Sequence, residues 1–175
     1  MALVVETGAG LATAESFASV AQADLRLSNF GFTTWAALAT AAKEAALRLA
    51  TEAMGNAYRM RWRGYRATSV QALDWPRLYA TKPDDQVSGY GGVAYYDANQ
   101  IPIEVINACI DLAYKSSTGV DLAPDIDRLE SKVKIGEIEV EYAPNSAAAT
   151  TFRAVETKLA PLFETSGIMT KLSRT

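Results

Sequence analysis

The chain has 175 residues, 49% of them hydrophobic and 21% charged, which is enough to bury a core without disulfides or metals in one domain, or one domain with arms. A net charge of −3 excludes a polycation that coats DNA by bulk charge, and the single cysteine, Cys109, excludes an intrachain disulfide. There is no histidine, which removes the commonest general base, the commonest zinc ligand and every Ser-His or Cys-His nucleophile, so an enzyme would depend on carboxylates, Lys, Tyr or Ser.

Residues 1–18 read as extended: the short apolar run LVVET is followed by Gly8 and Gly10, as in an edge strand or an arm. Ser19 and Gln22 fit a capping box that opens a helix over about 20–30, with Val20, Ala23, Leu27 and Phe30 on one face and Gly31 just past its end. Thr34–Leu38 reads as a helical turn. Thr40 is placed as the cap of a long helix over about 41–58, with an alanine-rich stripe at Ala42, Ala45, Ala46, Leu49, Ala53 and Ala57. Glu44 and Arg48 form an i,i+4 pair of the favourable order. Gly55-Asn56 is expected to loosen the last turn.

Residues 64–102 are broken by Gly64, Pro76, Pro83, Gly89, Gly91, Gly92 and Pro102. Within them the Gly- and Tyr-rich stretch at about 80–100 reads as a long exposed loop, with Tyr90, Tyr95 and Tyr96 as candidate contacts or as ordinary surface residues. Pro102 opens a helix over about 102–117 whose stripe is Ile103, Ile106, Ile110 and Ala113, with Cys109 beside it as a small core residue.

An acidic connector over 120–130 leads to the clearest strand signal, a hairpin over 132–142. Gly136-Glu137 suits its two-residue turn. That register sets Lys132 opposite Glu141 and Lys134 opposite Glu139, with Val133/Val140 and Ile135/Ile138 as the apolar pairs. An isolated hairpin is marginal in water, so its apolar residues need cover from this domain or a neighbour. A linker at 144–149 precedes a last helix over about 151–162 with Phe152, Val155, Leu159 and Leu162 as its stripe. The residues from 164 to 175 form a polar tail. The fold class is therefore mainly α: a small bundle of about four helices in a single domain over 1–163, with one hairpin, a long Gly/Tyr-rich loop and flexible terminal arms. No apolar run is long enough to span a membrane, and MALVVETGAG lacks the basic region of a signal peptide, so an intracellular protein or a part of something assembled inside a cell is expected.

Charge is segregated. Arg59, Arg61, Arg63, Arg66 and Arg77 face one acid, Asp74, so residues 59–77 carry +4 and leave −7 on the remainder. With Trp62, the run has the chemistry of a single-stranded nucleic-acid contact, phosphates on arginine and bases on the aromatic ring. Equally it has the chemistry of a protein interface, since Trp, Tyr and Arg dominate hot spots. A third reading is structural, with cations at a helix end and core tryptophans. The hairpin charges Lys132, Lys134, Glu137, Glu139 and Glu141 are further contact candidates. The acidic groups Asp84-Asp85, Asp121/Asp125/Asp127 and Glu137/Glu139/Glu141 read as solvated faces rather than as metal or acid-base sites. No phosphate loop, dinucleotide motif, paired CxxC or EF-hand loop occurs, so no cofactor, metal or catalytic residue is assigned.

The start MALVVETGAGLATAESFASVAQAD, the segments TTWAALATAAKEAALRLATEAM, RWRGYR and QALDWPR, then IPIEVINACIDLA, KVKIGEIEVEY and FRAVETKLAPLF, together resemble a family of tailed-phage structural proteins encoded among head and neck genes. Its members often carry the label DnaT-like single-stranded-DNA-binding protein. The resemblance covers almost the whole chain, and Trp75-Pro76-Arg77, the Ile-Pro-led helix and the Val-Lys-Ile-Gly-Glu-Ile hairpin are its more specific parts; the stretch at 80–100 is longer than the family pattern leads one to expect. The resemblance implies a head-tail connector, or adaptor: a virion protein assembled in the bacterial cytoplasm. Such a protein forms a ring under the portal, typically a dodecamer, extends the DNA channel and docks the next neck or tail protein. It also implies passing contact with genomic DNA without sequence specificity. The label implies the alternative, single-stranded-DNA binding through Arg59–Arg77.

Overall fold

The computed structural model describes residues 2–87, 92–124, 132–135, 138–141 and 151–164; for 83–87, 92, 132–135 and 138–141 it describes the backbone alone. Among these residues lie five α-helices: α1 (Val20–Asn29), α2 (Thr33–Ala36), α3 (Thr40–Tyr58), α4 (Ile103–Ser117) and α5 (Arg153–Leu159). Three antiparallel two-stranded sheets accompany them: β1 (Tyr65–Arg66) with β2 (Arg77–Leu78), β3 (Thr81–Val87) with β4 (Gly92–Tyr95), and β5 (Lys132–Ile135) with β6 (Ile138–Glu141). The fold is small and mainly helical.

The expected capping box is present. Ser19 Oγ accepts from the Gln22 amide and Gln22 Oε1 from the Ser19 amide. Gly31 sits at φ 77°, the left-handed geometry that closes a helix without a Cβ clash. The centre of the core is α3 against α4, with α5 across α4. The buried face of α3 is Lys43, Ala46, Leu47, Ala50, Thr51, Met54 and Tyr58; of the expected stripe Ala46 is buried, whereas Ala42, Ala45, Leu49 and Ala57 are exposed. The physical reason is volume. Leu47, Met54 and Tyr58 remove far more apolar surface from water than alanine does, about 1.5–3 kcal/mol for each large side chain, and they set the rotation. Leu49 is left exposed. Thr40 is the first helical residue rather than the cap, and the helix runs through Gly55-Asn56 without loosening. On α4 the buried set is Val105, Ala108, Cys109, Ile110, Leu112 and Ala113, so Ile103 points out of the core. The α5 stripe is as expected: Val155, Leu159 and, in a 3-10 turn at Ala160–Leu162, Leu162 are buried, with Phe152 partly so.

Two further expectations are corrected. The N-terminal stretch is folded onto the body and is no free arm. Val5 bridges Ser16, Phe17 and Ala18 are in the core, and the buried Glu6 carboxylate accepts from the amides of Gly8, Gly10 and Leu11. Those three charge-assisted bonds offset the cost of burying the carboxylate. The stretch expected as a long loop at 80–100 is largely the β3–β4 pair, in register Thr81↔Tyr95, Gln86↔Val93 and Val87↔Gly92 with an irregularity between the first two. Thr81, Val87, Val93 and Tyr95 have strand-forming side chains, and Pro83 is tolerated in a two-stranded sheet at the irregular part.

The β5–β6 register matches expectation: Lys132↔Glu141, Val133↔Val140, Lys134↔Glu139 and Ile135↔Ile138. The turn at 136–137, most of the acidic connector, the linker at 144–149, Tyr90 and the tail beyond Glu164 lie outside the described residues.

Candidate interaction surfaces

The arginine run begins where α3 ends. Its backbone pairs with the chain that leaves α5: the Arg63 amide donates to the Leu162 carbonyl at 3.0 Å and the Glu164 amide to the Arg61 carbonyl at 2.7 Å. Trp62 is 3% exposed and stands in an aromatic cluster with Tyr58, Trp75 and Phe163, ring centroids 5.0–6.1 Å apart. Tyr96 extends that cluster against Trp75 at 5.9 Å. Neither tryptophan offers a face on which a base could stack.

The guanidiniums are engaged within the fold. Arg77 is buried and donates to the carbonyls of Arg63, Gly64 and Asp74. Burial pulls its pKa down, and Asp74 opposes that shift. Arg66 donates to the carbonyls of Gln71 and Leu73. Arg63 donates to the Phe163 carbonyl and to Thr81 Oγ1. Arg59 pairs with the buried Asp74 at 3.0 Å. Arg61 pairs with Glu156 at 2.7 Å and lies over the Phe163 ring, 4.2 Å from its centroid. Gly64 sits at φ 70°, and a Cβ there would lie 2.1 Å from the Leu78 carbonyl oxygen, so β2 can close on the run only because residue 64 is glycine. Arg59, Arg61, Trp62, Arg63, Arg66 and Arg77 are thus brought together, but as a structural joint between α3, β1–β2 and the end of α5.

Tyr95 is exposed and meets Tyr79 edge-on at 6.4 Å. Tyr65, an aromatic of the basic run, is also exposed, as is Tyr79, for which the sequence offers no signal. Tyr79 adopts φ 58°, a left-handed conformation that non-glycine residues seldom take and for which the dipeptide Leu78-Tyr79 gives no cue. Of the hairpin candidates, Lys132, Lys134, Glu139 and Glu141 occupy paired positions on β5 and β6. Glu137 and Tyr90 are outside the described residues.

A further apolar surface includes Phe30 and Ile103, which the helical stripes place on core faces. Leu25, Phe30 and Ile103 are 60–65% exposed, and Phe32 and Val120 are also exposed. They line two adjoining grooves of about 510 and about 280 Å³ that share Arg26 and Phe30. Arg26 spans Phe30, 4.8 Å from its ring centroid, and Asp111, which also receives Lys158. Phe32 packs on Tyr114 at 4.4 Å. The only sequence cue was position: Phe30 and Phe32 flank the helix-ending Gly31, and Ile103 opens α4. Exposed patches of this kind mark interaction sites. Among the described residues no cluster of His, Cys, Asp and Glu could hold a metal ion, and no helix is long and apolar enough to cross a membrane.

The fold and these surfaces define a small, mainly helical protein whose basic stretch has its tryptophans and Arg77 buried and its other arginines bonded to the same chain, and which bears an open apolar face at Leu25, Phe30 and Ile103. The chain belongs to the family described as "Putative DnaT-like ssDNA binding protein", which it matches over residues 1–175. No curated protein and no solved structure matches it.

Proposed function

We propose that the chain is a structural assembly protein, a head-tail connector of a tailed-phage neck, which forms a ring beneath the portal and docks the next neck or tail protein. The observation that carries this reading is the internal commitment of the arginine run. With Trp62 buried and Arg77, Arg66, Arg63, Arg59 and Arg61 bonded to carbonyls and carboxylates of the same chain, the stretch that suggested DNA serves the fold. Among the described residues an open apolar face remains at Leu25, Phe30 and Ile103, which suits protein contacts. The overall charge of −3 suits a channel through which DNA slides without sticking. The role is structural rather than catalytic, and its place is the virion. Electron microscopy of the purified chain, alone and with portal-bearing heads, tests it: closed rings seated on the portal are expected, and monomers that ignore the portal would overturn it.

A second reading, single-stranded-DNA binding, is favoured by the family's description and by one observation, the exposed Tyr65, Tyr79 and Tyr95. Tyrosine faces stack bases without regard to sequence. On that reading the contact is at these tyrosines rather than at Trp62.

A further inference from the structure

The two grooves beside α1 lie end to end along α4. One touches Ile103, Ile106 and Ile110, and the other Tyr114, Lys115 and Thr118. Arg26 and Phe30 stand where they meet, since both residues line both grooves. The combined seat follows the whole of α4, which has 15 residues and is therefore about 22 Å long. Residues of α1 form one wall, and Ala154 and Val155 of α5 line the far end.

Shape and charge together select the occupant. The floor is apolar, with Leu25, Phe30 and Ile103 well exposed, so apolar side chains gain most by covering it. A concave seat about four turns long, walled by helices, is filled by another helix, whose side chains form ridges that enter such grooves. The lining carries Arg26 and Lys115 against one carboxylate, Asp111, and Asp111 is already shared between Arg26 and Lys158. Among the described residues Lys115 meets the Phe152 ring, 5.9 Å from its centroid, and no acid. The surplus charge is positive. A second copy docked by this same face would set those cations against their equivalents, which disfavours a two-fold pairing here.

We propose that the α1–α4 groove receives an amphipathic helix of a partner protein, about four turns long, with an apolar stripe at i, i+4, i+7 and i+11 on the floor and acidic residues flanking it toward Arg26 and Lys115. The inference rests on the assembly reading and gives the chemistry of the neighbour that docks. Phe30 is the central anchor, because it borders both grooves. Lys115 sets the preference for acids, because Arg26 already has Asp111.

The probe is a labelled synthetic peptide of leucine, alanine and glutamate, about 16 residues long, with leucines at those spacings. Titrated with the intact chain and read by fluorescence anisotropy, it is expected to bind saturably, and a peptide with lysine in place of glutamate to bind about tenfold more weakly. Phe30→Ala and Lys115→Glu are each expected to weaken the glutamate peptide about tenfold, and Lys115→Glu to strengthen the lysine peptide. Met60→Ala, exposed at the end of α3, leaves both unchanged. Circular dichroism checks that each variant keeps its helices. Equal binding of the two peptides, binding of neither, or a glutamate peptide held as tightly by both folded variants overturns the contact. Rings on the portal without peptide binding overturn this contact alone. Peptide binding by a chain that stays monomeric and ignores the portal overturns the assembly reading alone.

Discussion

Arg77 and Arg61 belong to one basic run and do different things. Arg77 gives three carbonyls their donors from a buried site, whereas Arg61 bridges to Glu156 at the surface. Removing a partner from buried carbonyls costs their desolvation, so Arg77→Met is expected to lower stability by about 2–4 kcal/mol. A solvated ion pair is worth little, so Arg61→Ala should cost less than about 1 kcal/mol. Urea unfolding of the two variants measures both. Cys109 supplies a second residue-scale prediction. Burial raises its pKa from the ordinary 9.0, against hydrogen bonds with Thr51 and Ser16 that lower it. The native state keeps the proton to higher pH than the unfolded chain does. Stability is therefore undiminished below pH 9 and is lost as pH rises through the native value. The urea midpoint should fall as pH rises above 9, and Cys109→Ala should flatten that fall even if its own stability is lower.

At the scale of elements, the sequence announces those whose pattern has one solution. The capping box, the glycine after α1 and the β5–β6 register were readable because Ser19/Gln22, Gly31 and the Lys–Glu and Val–Ile alternation each satisfy one geometry. The rotation of α3 was not, because alanines surround the helix and dilute the signal of Leu47, Met54 and Tyr58. The β3–β4 pair was hidden by glycine and proline, and the fold of residues 2–18 by a buried Glu6 that nothing local demands. The arginine run was readable as a unit but not as a joint, since most of its carbonyl partners lie in the irregular stretch from Arg63 to Asp74, whose fold no pattern announces, while Arg63 and Arg61 reach Phe163 and Glu156 far along the chain. The observed rotation of α3 makes a prediction. Leu47→Ala opens a cavity and should cost about 2–4 kcal/mol, whereas Leu49→Ala, exposed, should stay within about 0.5 kcal/mol. Thermal or urea denaturation of the pair checks it. Equal effects would place the helix in the other rotation.

For the molecule as a whole, the question is which macromolecule meets its surface. The net charge is negative, and the cations of residues 59–77 are turned to their own backbone and acids. An open apolar surface lies apart from them, at Leu25, Phe30 and Ile103. An electrostatic grip on phosphates weakens steeply with salt, whereas an apolar protein contact does not, so salt separates the two partners. The most direct measurement is sedimentation of the purified chain with a labelled oligo(dT), at low and at moderate salt. The account predicts a defined oligomer that persists in salt and leaves the oligonucleotide behind. A monomer that carries the oligonucleotide at low salt and releases it as salt rises would contradict it.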